Sequence, residues 1–307
     1  MEQTEKLQKI LARAGIASRR AVEKIIEDGR VSVNGRISRL GDRASVQDVI
    51  RVDGRVIKTE SPKEIATRVL VYHKPEGEVC TRSDPEGRPS VFDRLPTIAS
   101  GRWLNVGRLD LNTTGLLLFT NDGELAHRLM HPSHEVEREY AVRVFGEVSA
   151  EMISLMKSGV TIDGDLCRFD SITPMTGESE SLNHWYSVVL HEGHNREVRR
   201  MFEYFELKVS RLIRIRYGDI KLQRSLPRGG WEELSFNDVN YLRSLVDLPR
   251  QKASVGSDIR IEKLDAHAVF KKAAGIRRAV RRHNEARSDK SRRTGPSSGR
   301  TSVRGRR

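Results

Sequence analysis

The sequence predicts an α+β protein with a small N-terminal region, a larger region built on a mixed, mainly antiparallel sheet with flanking helices, and a basic C-terminal tail. Three observations support this prediction. Two short amphipathic helices precede two hairpin signals in the first 60 residues. Between about residues 66 and 247, predicted strands and helices do not alternate strictly, which disfavours a doubly wound parallel sheet. From Gln251 onward the hydrophobic content falls.

The N-terminal region is assigned to residues 1–62. Its first helix is predicted over residues 5–14, and its second begins after Ser18, a residue type that caps helix N-termini. The pairs Asn34-Gly35 and Asp53-Gly54 each lie between short alternating runs, a pattern that favours two-residue hairpin turns. The polar segment Lys58–Glu64 is predicted to be a linker.

The larger region is assigned to residues 63–250. Its predicted strands include Arg68–Tyr72, Leu116–Thr120, Glu139–Val144, Ser187–Leu190 and Val209–Arg216. Its predicted helices include Gly123–Met130, Ala150–Ser158, Arg196–Phe205 and Asn237–Val246. Residues 251–307 form the tail, in which 276–283 is predicted to be a short basic helix and 288–307 to be disordered, because few of its residues can form a core.

The formal net charge of +13 over 307 residues favours an anionic partner, with nucleic acid the leading candidate. This charge is unevenly distributed: residues 1–62 carry +4, residues 63–250 carry −3 and residues 251–307 carry +12. The slightly acidic middle disfavours a passive polycation. The tail is therefore expected to attract an anion without specificity.

Several other classes of protein are disfavoured. No apolar run approaches the roughly 18 residues of a membrane-spanning helix, and the N-terminus lacks the pattern of a secretory signal. Cys80 and Cys167 have no C-x-x-C spacing, which disfavours a disulfide scaffold or a zinc ribbon and favours buried or half-buried thiols in a reducing compartment. His131 and His134 enclose Pro132 without an acidic pattern, so surface or capping histidines are favoured over a zinc site. A cytoplasmic protein is expected.

Two stretches could carry chemistry. Asp110 lies just before a Thr-Thr-Gly turn that leads into an apolar strand, and it is either a cleft residue or an aspartate that bonds its own turn. Arg196, Arg199 and Arg200 are predicted to share one face of a helix start. Cations there oppose the helix dipole, so an anionic partner is weighed against a merely solvated basic face.

Two further stretches are less informative on their own. Tyr140, in Glu137–Val144, opens an alternating strand and could be a core aromatic residue. Tyr72–Gly77 is a strand that runs into a tight turn, and its pattern is interpreted as structural.

The order and spacing of these four stretches resemble the pseudouridine synthases of the RsuA/RluB/RluE/RluF type. The K-P-x-G turn, the G-R-L-D-x-x-T-[ST]-G-L motif, the E-x-x-Y strand and the N-R-x-V-R-R-M helix all occur. Residues 7–15 and the Ser18-Arg19-Arg20 sequence resemble an S4 RNA-binding domain, so the likeness covers about residues 4–247. Arg138 stands where lysine is frequent, and Glu197 stands where glutamine is frequent, which leaves the role of Glu197 open.

The resemblance implies an S4-like domain followed by a catalytic domain that isomerises uridine in RNA, with no metal or other cofactor. It implies that Asp110 is essential, and whether its carboxylate attacks the sugar, attacks the pyrimidine or removes a sugar proton stays open. Arg199 matches the basic residue of the family's active site and is expected to form a charge-assisted, bidentate pair with Asp110. Tyr140 is expected to stack on the uracil and is a candidate base for the proton at C5.

The remaining site predictions concern RNA binding by basic residues. Arg108 is expected to fill the space left by a flipped nucleotide or to hold its phosphate. The other predicted RNA-binding residues are Arg196, Arg200, Arg19, Arg20, Lys6 and Lys9.

The substrate and the assembly state are predicted from the same likeness. Residues 119–132, 210–220 and 276–283 are similar to family members that act on large-subunit (23S) ribosomal RNA near the peptidyl transferase region. This similarity favours that substrate, or a precursor particle, over small-subunit ribosomal RNA or tRNA. The rival of a different class is a non-catalytic S4-type RNA-binding or ribosome-assembly factor. A monomer is expected because the sequence does not suggest an extended apolar interface.

Overall fold

The computed structural model describes residues 4–59, 65–98, 101–175 and 182–252. The predictions for the tail helix at 276–283 and for disorder at 288–307 lie outside these residues, as does most of the predicted linker. None of the helices in the described ranges is long and apolar enough to cross a membrane.

The N-terminal region packs two helices onto short strands. Its helices are α1 (Leu7–Arg13) and α2 (Arg19–Glu27), and its strands are β1 (Glu5–Lys6), β2 (Val31–Val33), β3 (Arg36–Ile37), β4 (Arg43–Ala44), β5 (Ile50–Val52) and β6 (Arg55–Val56). The Ser18 hydroxyl accepts a hydrogen bond from the backbone N–H of Ala21 at 3.1 Å, which confirms the predicted cap. Apolar residues of both helices, among them Leu11 and Ile26, pack with Ile50 in one buried cluster.

Both predicted hairpins are present in an antiparallel sheet of order β3-β2-β5-β6. Asn34 and Gly35 join β2 to β3 with φ of 49° and 81°, and Asp53 and Gly54 join β5 to β6 with φ of 50° and 76°. Positive φ at both turn residues matches the twist of paired strands, which explains the Asn-Gly and Asp-Gly pairs.

The larger region is built on a nine-stranded sheet and a separate two-stranded hairpin. Its strands are β7 (Val69–Lys74), β8 (Leu104–Val106), β9 (Thr114–Thr120), β10 (Arg138–Phe145), β11 (Val160–Ile162), β12 (Asp165–Cys167), β13 (Ser171–Pro174), β14 (Asn183–Leu190), β15 (Lys208–Tyr217), β16 (Ile220–Lys221) and β17 (Trp231–Glu233). Its α-helices are α3 (Gly123–Met130), α4 (Ala150–Ser158), α5 (Glu197–Tyr204) and α6 (Phe236–Leu245).

The large sheet has the order β13-β14-β10-β15-β9-β7-β17, with β8 beside β9 and β16 beside β15. Every strand pair in it is antiparallel except β9 with β15. The prediction of a mixed, mainly antiparallel sheet is therefore confirmed. The central strand β9 is buried along its whole length, so its apolar run reflects burial on both faces.

Helices cover the sheet from two clusters. Val69, Val71 and residues of β9 pack with α3 and α6 in one cluster, whereas β10 and β14 pack with α4 and α5 in another. Alternate residues of β7, Leu70 and Tyr72, face a third cluster that contains Trp103. Cys167 is buried and Cys80 is half-buried, as the thiol interpretation predicted.

Candidate active site

A cavity of about 1230 Å³ lies where the loop before β9, the strands β10 and β15, and the segment before α5 meet. Four of the residues predicted from the sequence line it: Arg108, Asp110, Tyr140 and Arg196. Since these residues come from three segments that are distant along the chain, the fold brings them to one wall or rim. Arg199 and Arg200 are not among the lining residues.

Asp110 presents a half-buried carboxylate to this cavity. The turn around it is closed by the backbone, because the N–H of Thr113 donates to the carbonyl of Asp110 at 3.1 Å. The carboxylate itself makes no hydrogen bond to any residue that the structure describes. An aspartate that bonds its own turn, the alternative interpretation, is therefore not what the structure contains.

The loop that carries Asp110 is held in place by hydrogen bonds from Lys74, the last residue of β7. Lys74 is 0% exposed, and its Nζ donates to the backbone carbonyls of Thr113 at 2.9 Å and Asp110 at 3.0 Å, with further bonds to Leu111 at 3.4 Å and Pro75 at 3.1 Å. Burial lowers the pKa of Lys74, and nearby acidic groups, Asp110 among them, act in the opposite direction. A buried ammonium that contacts three carbonyls of this loop fixes the loop backbone and so the position of the Asp110 side chain.

The Thr-Thr-Gly turn is explained by the contact between β9 and β15. Gly115 has a φ of +108°, and a Cβ there would lie 2.2 Å from the carbonyl oxygen of Arg214. Only glycine permits this approach. It sets β9 beside β15 in the one parallel pairing of the large sheet, and so places the Asp110 loop next to β15.

A β-bulge decides which side chains of β15 face the cavity. Tyr140 pairs with Arg214 and Glu139 pairs with Arg216, so Ile215 is left without a partner on β10. This extra residue reverses the alternation, and Arg214 and Tyr217 both line the cavity although they are three residues apart. Glu139 and Arg216 point the other way and form an ion pair at 2.7 Å.

Arg138 supports the rim of the cavity. Its buried guanidinium donates to the carbonyls of His191 and Glu192, at 3.1 Å for the latter, and to the carbonyl of Leu129 and the Tyr217 hydroxyl, each at 3.4 Å. A lysine, the frequent residue of the motif, could not present donors in this planar fork. Arg138 thereby connects the segment after β14 to the end of α3.

Arg199 corrects the prediction of a direct pair with Asp110. This buried side chain donates from Nη2 to the carbonyl of Asn112 at 3.0 Å and from Nη1 to the carbonyl of Val209 at 3.1 Å. No ion pair within 4.0 Å joins it to Asp110 in the described structure; burial lowers the pKa of Arg199, and the Asp110 carboxylate opposes that shift. The arginine therefore binds the Asp110 loop through its backbone and acts on the carboxylate only through space.

The predicted basic face at the start of α5 is also corrected. The helix begins at Glu197, and Arg196 precedes it in the left-handed region with a φ of 52°. Arg196 is exposed at the cavity and pairs with Glu203 at 3.0 Å, whereas Arg200 pairs with Asp163 and Asp165 of the β11–β12 hairpin, each at 3.3 Å. Because Arg196 lies outside the helix, the three arginines do not share one helix face. The charge of Arg200 is compensated by its two ion pairs.

Glu197 occupies the first turn of α5 and is 3% exposed. Its Oε2 accepts the backbone N–H of His194 at 3.0 Å, which closes the turn that carries Arg196. Burial raises the pKa of Glu197 to about 6, and the hydrogen bond from His194 opposes this shift. The residue whose role the motif left open therefore shapes the rim of the cavity.

The predicted RNA-contacting residues of the N-terminal region differ in their availability. Lys6, Arg19 and Arg20 are exposed, the last two at the start of α2. Lys9 is half-buried and pairs with Glu5 at 3.1 Å, so part of its charge is compensated.

A metal centre finds no support in the described ranges, where no three His, Cys, Asp or Glu side chains are grouped to hold a metal. His131 instead caps the short 3₁₀ turn Pro132–His134 by accepting the backbone N–H of Ser133 at 3.3 Å. The capping interpretation of this histidine is confirmed.

Sequence reasoning did not identify Lys74 or Arg214 as parts of the site. The signal for Lys74 was a charged residue at the end of an otherwise apolar strand, directly before a proline. Arg214 carried no such signal, since only the β-bulge turns it toward the cavity. Together the arrangement offers an unpaired carboxylate and an aromatic side chain that line one space large enough for a nucleotide.

Both regions of the chain are similar to known protein families. The profile of a family described as RNA pseudouridylate synthase matches residues 68–204, and the profile of the S4 domain matches residues 5–50. The chain is 56% identical over 284 residues to ribosomal large subunit pseudouridine synthase B of Salmonella typhi, which covers 92% of this chain and 95% of that protein. It is 54% identical over 282 residues to the protein of the same name from Vibrio vulnificus, covering 92% and 87% of the two chains.

A solved structure is also similar. A crystal structure of a pseudouridylate synthase superposes with a TM-score of 0.54 and 26% sequence identity, and the match covers 77% of this chain and 99% of that one.

Proposed function

Since the chain belongs to the RNA pseudouridylate synthase family, we propose that it converts a uridine of large-subunit ribosomal RNA, near the peptidyl transferase region, to pseudouridine. The observation that carries this proposal is the unbonded Asp110 carboxylate on a cavity wall that also holds Tyr140. The relatives that act on the ribosomal large subunit, according to their names, support the choice of substrate.

The proposed reaction breaks the bond between C1′ of the ribose and N1 of uracil and forms a bond between C1′ and C5. The uracil turns within the cavity, C5 loses its proton, and N1 gains one. Asp110 acts as an ionised group, and its attack on the sugar, its attack on the pyrimidine and its removal of a sugar proton all fit an unpaired carboxylate. Lys74 and Arg199 lie close enough to the Asp110 carboxylate that its charge opposes the lowering of the pKa of both by burial.

Tyr140 is proposed to stack on the uracil and to accept the C5 proton. Its side chain is half-buried and lines the same cavity as Asp110, where a base can reach it. Stacking on an aromatic side chain is worth about 1–3 kcal/mol per base, which offsets part of the cost of extracting the nucleotide from its helix.

The RNA is proposed to reach the cavity through basic residues at its rim and in the N-terminal region. Arg108 is exposed and lines the cavity, where it can hold the phosphate of the flipped nucleotide or replace the base in the stack. Arg19, Arg20 and Lys6 are proposed to contact the RNA backbone, which positions the enzyme without reading sequence. Lys9 and Arg200 have weaker roles in this proposal because acidic neighbours already bind them.

The chain is proposed to divide into an S4-like RNA-binding domain (1–62), a catalytic domain (63–250) and a basic tail (251–307). A cytoplasmic, monomeric enzyme is proposed, because its substrate is ribosomal RNA and the site is formed by one chain. The tail, with +12 of the net charge, would increase RNA affinity without entering the chemistry.

The decisive experiment replaces Asp110 by asparagine and maps pseudouridine in large-subunit ribosomal RNA from cells that lack the native protein. The variant should restore no pseudouridine, whereas the wild-type chain should restore one site. Asp247→Asn is a matched control, because the Asp247 side chain is 87% exposed and its left-handed φ of 54° suits asparagine. A folded Asp110→Asn variant that still forms pseudouridine would refute the catalytic role.

The same experiment separates the rival function. A non-catalytic assembly factor would support ribosome assembly equally well with asparagine at 110, and no uridine would change in its absence.

A further inference from the structure

The cavity contains a buried cation to which the mechanism above assigns no role. Arg214, in the middle of β15, is 3% exposed and lines the cavity together with Asp110 and Tyr140. Its Nε donates to the carbonyl of Leu116 at 2.7 Å. Its Nη2 is buried and has no hydrogen-bond partner in the described part of the chain.

The other buried arginines around this site are occupied differently. Arg138 and Arg199 both direct their Nη atoms to backbone carbonyls. Arg214 also has no aspartate or glutamate within ion-pair distance among the described residues, and the Tyr217 ring, 5.3 Å from its guanidinium carbon, is its nearby aromatic neighbour. A buried N–H donor without an acceptor is costly, so the unpartnered Nη2 of Arg214 at the cavity wall indicates an acceptor supplied by the ligand.

The register between β10 and β15 indicates which part of the ligand supplies this acceptor. Arg214 is the direct cross-strand partner of Tyr140, and the two side chains emerge on the same face of the sheet. Cross-strand partners have Cβ atoms about 5 Å apart. A base stacked on the ring of Tyr140 would therefore present its edge, rather than its phosphate, to Arg214.

We propose that Arg214 is a catalytic residue that donates a hydrogen bond from Nη2 to a carbonyl oxygen of the target uracil. The inference rests on the proposed function. When the bond between C1′ and N1 breaks, the electron pair stays on the uracil and is delocalised over N1 and the carbonyl oxygens. A fixed guanidinium at the base edge stabilises that developing charge and releases it when C5 bonds to the sugar.

The test measures single-turnover pseudouridine formation at saturating enzyme, in a stem-loop of large-subunit ribosomal RNA that the wild-type enzyme modifies. Arg214→Ala should lower the rate constant about 100-fold, the usual effect of removing one donor aimed at developing charge, and should change the RNA dissociation constant less than about twofold. Methylguanidinium in the buffer should restore part of the Arg214→Ala rate and none of the Asp110→Asn rate. Arg211→Ala is the control, because Arg211 is an exposed arginine of the same strand and does not line the cavity.

A second arm changes the ligand atom instead of the protein. RNA with 2-thiouridine or 4-thiouridine at the target position replaces one carbonyl oxygen by a weaker acceptor. One of the two should slow the wild-type enzyme and have little further effect on Arg214→Ala, because both changes remove the same hydrogen bond. If Arg214→Ala does not fold, Arg214→Lys, which keeps the charge and loses the planar fork, takes its place in this cycle.

Four results would overturn the inference. The first is a wild-type rate in a folded Arg214 variant, and the second is a loss of RNA affinity without a loss of rate. The third is that the rate reductions caused by thio substitution and by the Arg214 mutation multiply when the two are combined. The fourth is that neither thio substitution slows the wild-type enzyme. The second result would assign Arg214 to a phosphate. A wild-type enzyme that modifies no ribosomal RNA would instead refute the proposed function itself.

Discussion

The arginines at the start of α2 and those around the cavity have the same side chain in opposite surroundings. Arg19 and Arg20 are exposed and make no ion pair in the described structure, whereas Arg138, Arg199 and Arg214 are buried. An exposed guanidinium attracts RNA at a distance and is screened by salt. A buried one binds fixed acceptors and is largely insensitive to salt. The protein therefore uses surface charge for capture, and buried charge to shape the site and, at Arg214, to complete it.

Lys74 is a further buried cation at the site, and Lys74→Met is expected to have the largest effect on turnover. It removes the donor to three carbonyls of the Asp110 loop, so the loop should shift, and a displacement of about 1 Å can lower turnover by about 100-fold. The free energy of unfolding should fall by about 1–3 kcal/mol, because buried carbonyls lose their partner. Single-turnover kinetics and denaturant unfolding measure both effects. Lys221→Met, at an exposed lysine, is the control, and normal turnover in a folded Lys74→Met variant would contradict the positioning role.

Arg199→Lys tests whether the buried arginine acts by position. Lysine keeps the charge but cannot reach the carbonyls of both Asn112 and Val209. We expect turnover to fall at least about 10-fold and the free energy of unfolding to fall by about 1–2 kcal/mol. RNA affinity and its salt dependence should stay unchanged. Unaltered kinetics in the lysine variant would show that charge alone suffices at this position.

The double substitution Arg19→Gln with Arg20→Gln tests the exposed group. If both residues contact phosphates, the slope of log affinity against log salt should become shallower by about 1.5, and the rate constant at saturating enzyme should not change. Lys9→Gln is the matched comparison, since Lys9 already pairs with Glu5 and should alter the slope much less. A reduced rate at saturation would mean that these residues also organise the site.

The smallest effect concerns pH. Burial raises the pKa of Glu197 from 4.5 to about 6, so the folded state binds its proton more tightly than the unfolded state. Stability linked to this proton is fully present below pH 4.5 and is lost as the pH rises to about 6. Glu197→Gln should flatten the stability profile in that window, which thermal unfolding against pH would measure. If the stabilities of the wild type and Glu197→Gln differ by the same amount at every pH in this window, Glu197 is ionised throughout.

Local order was largely predictable from the sequence. The helices Gly123–Met130 and Ala150–Ser158, the Ser18 cap and both two-residue hairpins appear where the pattern places them. These features depend on neighbours along the chain. The start of α5 was predicted one residue early, because Arg196 adopts a left-handed conformation that periodicity does not reveal.

The contacts within the site were less predictable. The position of Asp110 on a cavity wall follows from the motif, yet the expected partner of its carboxylate, Arg199, binds the loop backbone instead. The sequence shows that an acidic and a basic side chain are available, but it does not show which atoms they contact. Lys74 was interpreted as part of a structural turn, and its bonds to the Asp110 loop depend on the pairing of β7 with β9.

The sequence by itself determined the type of the two regions that the structure describes, the family and the residues with reactive side chains, because periodicity, turn chemistry and motif spacing are local properties of the chain. Only the tertiary structure decided which cations face the cavity. A single unpartnered residue, Ile215, sets the direction of Arg214 and Tyr217, and the missing side chain of Gly115 lets β9 approach β15. Both depend on the register between strands that lie far apart in the sequence, and that register is fixed by packing over the whole sheet.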